Sequence, residues 1–519
     1  MTSATCGFDW PDRRSGCDAD GSPIEVSGRM HALVYFGKGD YRVVADRPIF
    51  GTAHDLIGRV NVVHRCGTDV KIYQSGRRDQ AEESLLEELA ALVGSAAHGD
   101  SGRFLDYVRL LETGTPRADV HDNGLYAEVA KAVADLDDVA RRDLRRQLEL
   151  YWGRIFGHET VVQLVFVGSR VHELTTGIGY LAGEQLTWEQ FDFRIGRRYC
   201  LQSRIAHYQP APPRLRGARG VQLLGGNITD LAMNQAGAFA QYVRIRPEVI
   251  RSGSVLPVPE GIDDTSAALV EPLACLLDCL QKSTHELGQD ARGSVLKKGV
   301  MPGGVTLVIG SGSMAMMAAK LALVEDPVLD VGGARQVVVV VRSAAKRNLV
   351  DRVLADPRAT CLVAEDDAAL ARLAAGFTPA EADPYGRPFK GFDDVILAAG
   401  SGDTLATAHD LIAPTGGRVL AFAGTRGPCR IESGVWHYGN AAVMGTSGCN
   451  TKMMELAIGL LARGRVDVRP LSGRGYTFAD LDREGTAAFF EDQLLRPKLL
   501  PNEGVPDLPL DSTSPRRTT

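Results

Sequence analysis

The sequence predicts a two-part α/β protein: a mainly-β unit, interrupted by a helical tract, followed by a doubly wound parallel-sheet unit. Three observations carry this. From about Met30 to Val63 apolar and polar residues alternate, as in ALVYFGKGDYRVV and DLIGRVNVV, the period of short half-buried strands. Between Gly303 and Gly448 continuous apolar runs (VTLVIG, QVVVVVR, FDDVILAAG, GGRVLAFAG, AAVMGTSG) alternate with helical stretches, which indicates a parallel sheet covered on both faces. From Asp79 to about Tyr151 the chain reads as helix. EESLLEELAALV sets Leu85, Leu86, Leu89 and Leu92 on one face, and YAEVAKAVADLDDVARRDLRRQLELYW runs from acids to arginines, as the helix dipole favours.

With 519 residues the chain is too long for one ordinary domain. The expected division is a leader over 1–28, a first unit over 29–295 with its helical insertion at about 79–152, a parallel-sheet unit over 296–450, and a return to the first unit with a polar tail over 451–519. Strand-like sequence resumes at ETVVQLVFVGSRV, and loop-rich sequence follows to about Pro247. The balance of 58 basic against 64 acidic residues, net −6, gives no general attraction to nucleic acid or to an anionic membrane. Nine irregularly spaced cysteines suit a reducing compartment, and the N-terminus lacks the apolar core of a signal peptide, so a cytoplasmic location is expected. The apolar window Val305–Val324 contains Lys320 and two close glycines, and reads as a strand, turn and helix rather than a membrane span.

That turn is the first candidate site. Gly310-Ser311-Gly312-Ser313-Met314-Ala315 follows VTLVI and opens SMAMMAAKLALV, with another apolar strand about 30 residues on. Gly310 would make the tight turn, Gly312 would admit a pyrophosphate, and Ala315 would let the helix pack closely on the strand. The free N–H groups of the helix start would then face the phosphates. The next strand ends in VVVVVRSAAKR, where Arg342, Ser343 and Arg347 stand without an acid to bind ribose hydroxyls. NADP is therefore expected in preference to NAD.

A second constellation could hold a metal. Cys66 lies in HRCGTD, His158 and Glu159 lie in FGHETVVQ, and Glu271 lies in ALVEPLAC with Pro272 as an early helical residue. A thiolate, an imidazole and a carboxylate form a three-ligand zinc set with one position open. Each residue alone is unremarkable, since a lone cysteine is usually a small buried hydrophobe.

CGTD, GHE, EPLAC and a following GxGxxA, in that order, resemble the medium-chain zinc-dependent alcohol and polyol dehydrogenases. The C-terminal run FDDVILAAG, GGRVLAFAGT, NAAVMGTSGCNTKMMELAIGLLARGRV is similar to the sorbose-1-phosphate reductase branch. The resemblance spans roughly 30–70 and 156–470. It implies a GroES-like catalytic domain joined to a Rossmann domain, with zinc on Cys66, His158 and Glu159, and Glu271 able to enter the coordination shell. It also implies that Thr68 relays the substrate proton, that the chain forms homo-oligomers, and that it reduces a ketose, sugar phosphate or other carbonyl or oxidises the matching polyol. His437 and Tyr438, in GVWHYGN, match the branch's pattern near the cleft.

This sequence departs from the family in several places. Some 91 residues lie between Cys66 and His158, because of the helical insertion. The turn that normally follows GHE appears as Gly196-Arg197-Arg198, displaced by a second insertion near 175–193. No CxxCxxC run is present, so one catalytic zinc is expected and no structural zinc. Arg197, Arg198, Arg214 and Arg216 are candidates for a substrate phosphate. Two other readings stand beside the enzyme: a non-catalytic NADP-binding sensor or scaffold of the same fold, and a biosynthetic dehydrogenase for a specialised alcohol.

Overall fold

The computed structural model describes residues 23–37, 39–75, 154–174, 192–206, 228–230, 236–374, 391–424, 428–431, 433–446, 448–492, 495–507 and 510–512. The helical tract expected at 79–152, most of the leader and Arg214 and Arg216 lie outside these residues.

The chain opens with β1 (Ile24–Gly37) and β2 (Asp40–Thr52), which pair antiparallel over their whole length. Both are longer than the short strands expected, because β1 is sandwiched between β2 and a late strand near the C-terminus. The first of them also begins inside the segment expected as a leader: Ile24 and Val26 are buried, and that burial fixes them. β3 (Leu56–His64) runs into α1 (Gly67–Ser75). β4 (Arg154–Ile155) and β5 (Glu159–Val167) follow, then β6 (Arg198–Leu201), β7 (Arg204–Ala206), β8 (Ile228–Asp230), β9 (Tyr242–Ile245) and β10 (Val255–Pro257). β3 and β5 are the spine of this unit, antiparallel in the register His64↔Glu159.

α2 (Val270–Lys282) leads through the hairpin of β11 (Thr284–Asp290) and β12 (Gly293–Lys298) to the parallel sheet. There, β13 (Val305–Ile309), α3 (Ser313–Leu323), β14 (Gln336–Val341), α4 (Ala344–Leu354) and β15 (Ala359–Val363) form one half. β16 (Asp394–Leu397), α5 (Gly402–Leu411), β17 (Arg418–Ala421) and β18 (Ala442–Gly445) form the other. The strand order is β15-β14-β13-β16-β17-β18, so the chain reverses direction across the sheet at β13. Ligands of doubly wound sheets bind at that reversal. β15 has no counterpart among the expected strands, because ATCLV is short, mixed in polarity and only partly buried at the sheet edge.

α6 (Thr451–Ala462) then packs on α2, and β19 (Ser472–Tyr476), β20 (Arg496–Leu499) and β21 (Asp511–Ser512) return to the first unit. One core cluster takes in Leu273, Leu276 and Leu277 of α2, Met316 and Met317 of α3, and Met454 and Ala457 of α6. This cluster takes in residues on both sides of 296 and of 450, the bounds expected for the parallel-sheet unit. α2 and α6 turn their apolar faces toward each other, and α2 also packs on α3. Val62, Val161 and Cys200 belong to the same cluster, so the two units share packed side chains beside the site.

Candidate active site

Strand pairing builds the site. β3 ends at His64, and Cys66 follows after one residue. Across the ladder His64 faces Glu159, which sets His158 and Glu159 beside the cysteine despite the long intervening tract. β20 flanks β3 on its other side, pairing Lys498 with His64. The same register carried on two residues brings Arg496 level with Cys66. The Cys66 backbone N–H donates to Asp69 Oδ2 at 2.7 Å, which fixes the turn into α1.

One ligand atom each of Cys66, His158 and Glu159 lies within 4.8 Å of the others. The set fits a metal ion on two grounds. Thiol, imidazole and carboxylate are zinc donors, and His158 Nδ1 is buried without a hydrogen-bond partner among the described residues. Burial, then Glu159, pushes the Cys66 thiol up, against the pull of His158. Burial works against charge on His158, but the Cys66 sulfur and the Asp69 and Glu271 carboxylates outweigh it and take the imidazole well above its usual range. A metal would displace the proton that this interacting pair holds, so binding there weakens in acid. Burial also raises the Asp69 carboxyl to about 6.

Arg496 is the residue that sequence reasoning missed. Its guanidinium, 5% exposed as a residue, forms an ion pair with Glu159, donates from Nε to Ser313 Oγ at 2.7 Å, and reaches Met314 Sδ from Nη2 at 2.7 Å. One arginine thus ties the metal triad to the first turn of α3. Nothing in RPKLL marks it, because its partners come from β5 and from α3.

The triad opens on a cleft of ≈ 660 Å³ between the two units, walled by Thr68, Lys71, Ser203, Glu271, Met314, Ala398 and Phe422 among others. Thr68, in the first turn of α1, is exposed on that wall. Glu271 reaches the cleft from α2 but is held by Ser203 Oγ, which donates to Oε1 at 2.6 Å. The glycine turn leads into α3, whose Met314 lines this cleft. Gly310 has φ +145°, and a Cβ on it would stand 3.2 Å from the Ala315 Cβ, so these two residues must both be small for α3 to sit on β13. A Cβ on Gly312 would meet nothing within 4 Å, which leaves room for a phosphate where the backbone N–H groups of α3 point. Ser313 and Met314 face Arg496 as well as the turn, and Ser311 is partly exposed.

Arg342 and Ser343 lie just past the end of β14. Ser343 caps α4, accepting from Lys346 N–H, and Arg342 is ion-paired with Asp367 while donating to the Ala364 carbonyl at 3.1 Å. Arg347 stands 3.5 Å from Asp351, so both arginines already have partners. Of the other expected residues, Arg198 pairs with Asp264 at 2.6 Å, and Arg197 stands 3.6 Å from Asp192. Neither lines the cleft. Nor do His437 and Tyr438; Tyr438 is 88% exposed on a short helix.

His64, beneath the triad, is fully buried, with Nε2 3.0 Å from Ser472 Oγ. Burial, helped by Arg496 and Lys498, holds its pKa well below 6.5. Between that depressed value and 6.5 the unfolded chain binds more protons than the folded one, so this stability is complete above pH 6.5 and is lost on acidification. Asp69 and His158, whose folded-state pKa values are raised, contribute in the opposite sense. Between about pH 7.5 and about pH 5.5 the urea midpoint of chelated protein should therefore fall more, or rise less, in wild type than in His64→Gln. An identical pH dependence in the variant would show that His64 does not contribute to it.

No family model matches the chain. It is 24% identical to L-galactonate-5-dehydrogenase of Escherichia coli K12 over 336 residues, which cover 63% of this chain and 77% of that protein. A shorter stretch of 92 residues is 35% identical to sorbitol dehydrogenase of Halalkalibacterium halodurans, covering 18% of this chain and 21% of that one. In structure it is similar to a protein of Sinorhizobium meliloti 1021 described as a zinc-binding dehydrogenase and solved bound to NADP, with a TM-score of 0.55, 19% identity, and 91% and 99% of the two chains covered. The fold is thus the GroES-like plus Rossmann arrangement of the medium-chain dehydrogenases. The curated proteins similar in sequence are polyol and alcohol dehydrogenases. No helix among the described residues is long and apolar enough to cross a membrane.

Proposed function

We propose that this protein is an NADP(H)-linked alcohol dehydrogenase that interconverts a polyol with a ketose or sugar phosphate, using one catalytic zinc on Cys66, His158 and Glu159. The observation that carries the reading is that Arg496 touches both that triad and the first turn of α3, whose Met314 lines the same cleft as the triad. When bound there, zinc polarises an alcohol or carbonyl oxygen and the nicotinamide exchanges the hydride. The chain's own residues do the rest. Gly310, Ser311, Gly312 and the N–H groups of α3 hold the pyrophosphate, while Arg496 fixes Glu159 in position. Thr68, exposed at the cleft mouth, passes the substrate proton to solvent. Glu271, whose charge helps to raise the His158 pKa, enters the ligand shell in this reading. Ala398 and Phe422 give the cleft an apolar stretch of wall. A homo-oligomer is part of the proposal, by resemblance to the dehydrogenases. The sensor reading needs no exposed proton donor beside an intact ligand set, and it is the weaker for that.

The test is a panel of polyols, ketoses and their phosphates with NADP and NAD titrated separately. Turnover of none of them by zinc-loaded protein would overturn the proposal. Cofactor choice has its own variant. If Arg342 leaves Asp367 for a 2′-phosphate, Arg342→Ala should raise the Kd for NADP by roughly 10-fold or more and leave NAD within about 3-fold, the scale of a lost charge-assisted hydrogen bond. Equal weakening of both cofactors would remove the NADP preference from the proposal.

A further inference from the structure

Beside the first triad lies a second group of donors that the reaction above does not use as a set. Glu271 and Cys275 are four residues apart on α2, the spacing that stacks two side chains one turn apart on one helix face. Cys275 Sγ stands 3.5 Å from Glu271 Oε1. The third donor, Cys449, comes from the loop between β18 and α6. Its carbonyl accepts from Gln202 Nε2 at 3.1 Å, and the next residue, Asn450, caps α6 by accepting from Met453 N–H at 3.1 Å. The thiol is therefore carried on anchored backbone.

One carboxylate oxygen and the two sulfurs all lie within 4.8 Å of one another. Tetrahedral zinc with thiolate and carboxylate ligands spaces them roughly 3.5–3.8 Å apart, so the donors need to close by about an ångström at most. Glu271 is 6% exposed, the side chains that hydrogen-bond it, Ser203 and Cys275, are neutral, and the cationic groups it faces, His158 and Arg496, belong to the first triad's surroundings. Two thiols beside a buried carboxylate select a soft cation. Ser203 orients the carboxylate as an outer-shell partner does. Both cysteines are free thiols and only half-buried, and Cys275 lines the cleft, so an ion has a way in.

We infer that Glu271, Cys275 and Cys449 form a second metal site, for zinc or a similarly thiophilic divalent ion, next to the Cys66 triad and separate from it. Its binding releases the two thiol protons, and Glu271 can face either ion. The site stands on its own three donors and does not rest on the proposed reaction. It also raises the metal content expected from the sequence from one ion per chain to two.

The experiment is metal counting on the full chain, chelated, reloaded with zinc and desalted, for wild type, Cys66→Ser, Cys275→Ser and Cys449→Ser, with far-ultraviolet circular dichroism to verify folding. Wild type should hold two ions and each variant one. Cobalt loading gives a second readout. Thiolate-to-cobalt absorption should persist in Cys66→Ser and fall by more than half in Cys449→Ser, because two of the three thiolates belong to this site. Should a serine variant misfold, Cys449→Ala replaces it. An equal ion count in wild type, Cys275→Ser and Cys449→Ser overturns the inference and leaves the catalytic zinc intact. A single ion kept by Cys66→Ser but lost by Cys449→Ser would do the reverse. Loss of two titratable thiols in air-exposed wild type, with no second ion bound under reducing conditions, would identify the pair as a disulfide and refute the metal site.

Discussion

Replacing Cys66 by serine is expected to remove the ion of the first triad and the dehydrogenase activity together. The thiolate is the softest of three donors whose positions are set by the β3–β5 ladder, and a serine hydroxyl stays protonated near neutral pH and is a poor zinc ligand. Loss of the polarising ion should lower kcat/KM on the order of a thousandfold, about 4 kcal/mol of transition-state stabilisation. The fold should survive, because the cysteine sits at a strand end and the ladder does not depend on its side chain. The measurement pairs metal analysis with NADP-linked turnover on the same preparation. Near-normal turnover in protein that has lost this ion would end the zinc mechanism. Full retention of the ion would show that His158 and Glu159 hold it without the thiol.

The second large effect is expected at Arg496. Its guanidinium is the counter-ion of Glu159, which is 1% exposed. Arg496→Met leaves that carboxylate buried and unpaired, and breaking such a pair costs about 3–5 kcal/mol. Urea unfolding of chelated protein should show the loss in full. Added zinc should recover part of it, because the ion supplies the missing positive charge. The double variant Arg496→Met/Glu159→Gln should be more stable than the single one, since no charge is then stranded. Additive losses in the double variant would show that the pair is not coupled. Cofactor affinity should fall as well, because the bond from Arg496 Nε to Ser313 Oγ disappears from the first turn of α3. Arg496→Lys should restore stability better than cofactor binding: a single ammonium can pair with Glu159 but cannot reach Ser313 with a second donor of fixed geometry.

Much of this candidate site is legible in the sequence. Gly310, Gly312 and Ala315 are separated by fixed short spacings, and their roles follow from backbone geometry that is local to one turn. Cys66, His158 and Glu159 could be grouped only through their order along the chain, and the register His64↔Glu159 supplies the physical reason they meet. Cys275 was visible in EPLAC, one helical turn after Glu271, but as a donor it means little without Cys449. The charge of Arg197 and Arg198 suits a phosphate in the sequence, whereas in the fold Asp192 and Asp264 pair with it.

The sequence by itself determined what is periodic or contiguous: the alternating strands of the first unit, the apolar runs of the parallel sheet, the glycine turn and the residues of the candidate metal triad. Tertiary structure decided what depends on elements distant in the chain meeting in space. It brought β20 alongside β3, so that Arg496 joins the metal triad to the nucleotide turn. It laid α6 against α2, so that Cys449 faces Cys275 and Glu271. The reason is physical: hydrophobic period and backbone preference act over a few residues, whereas a buried charge finds its partner only after the sheets and helices have packed.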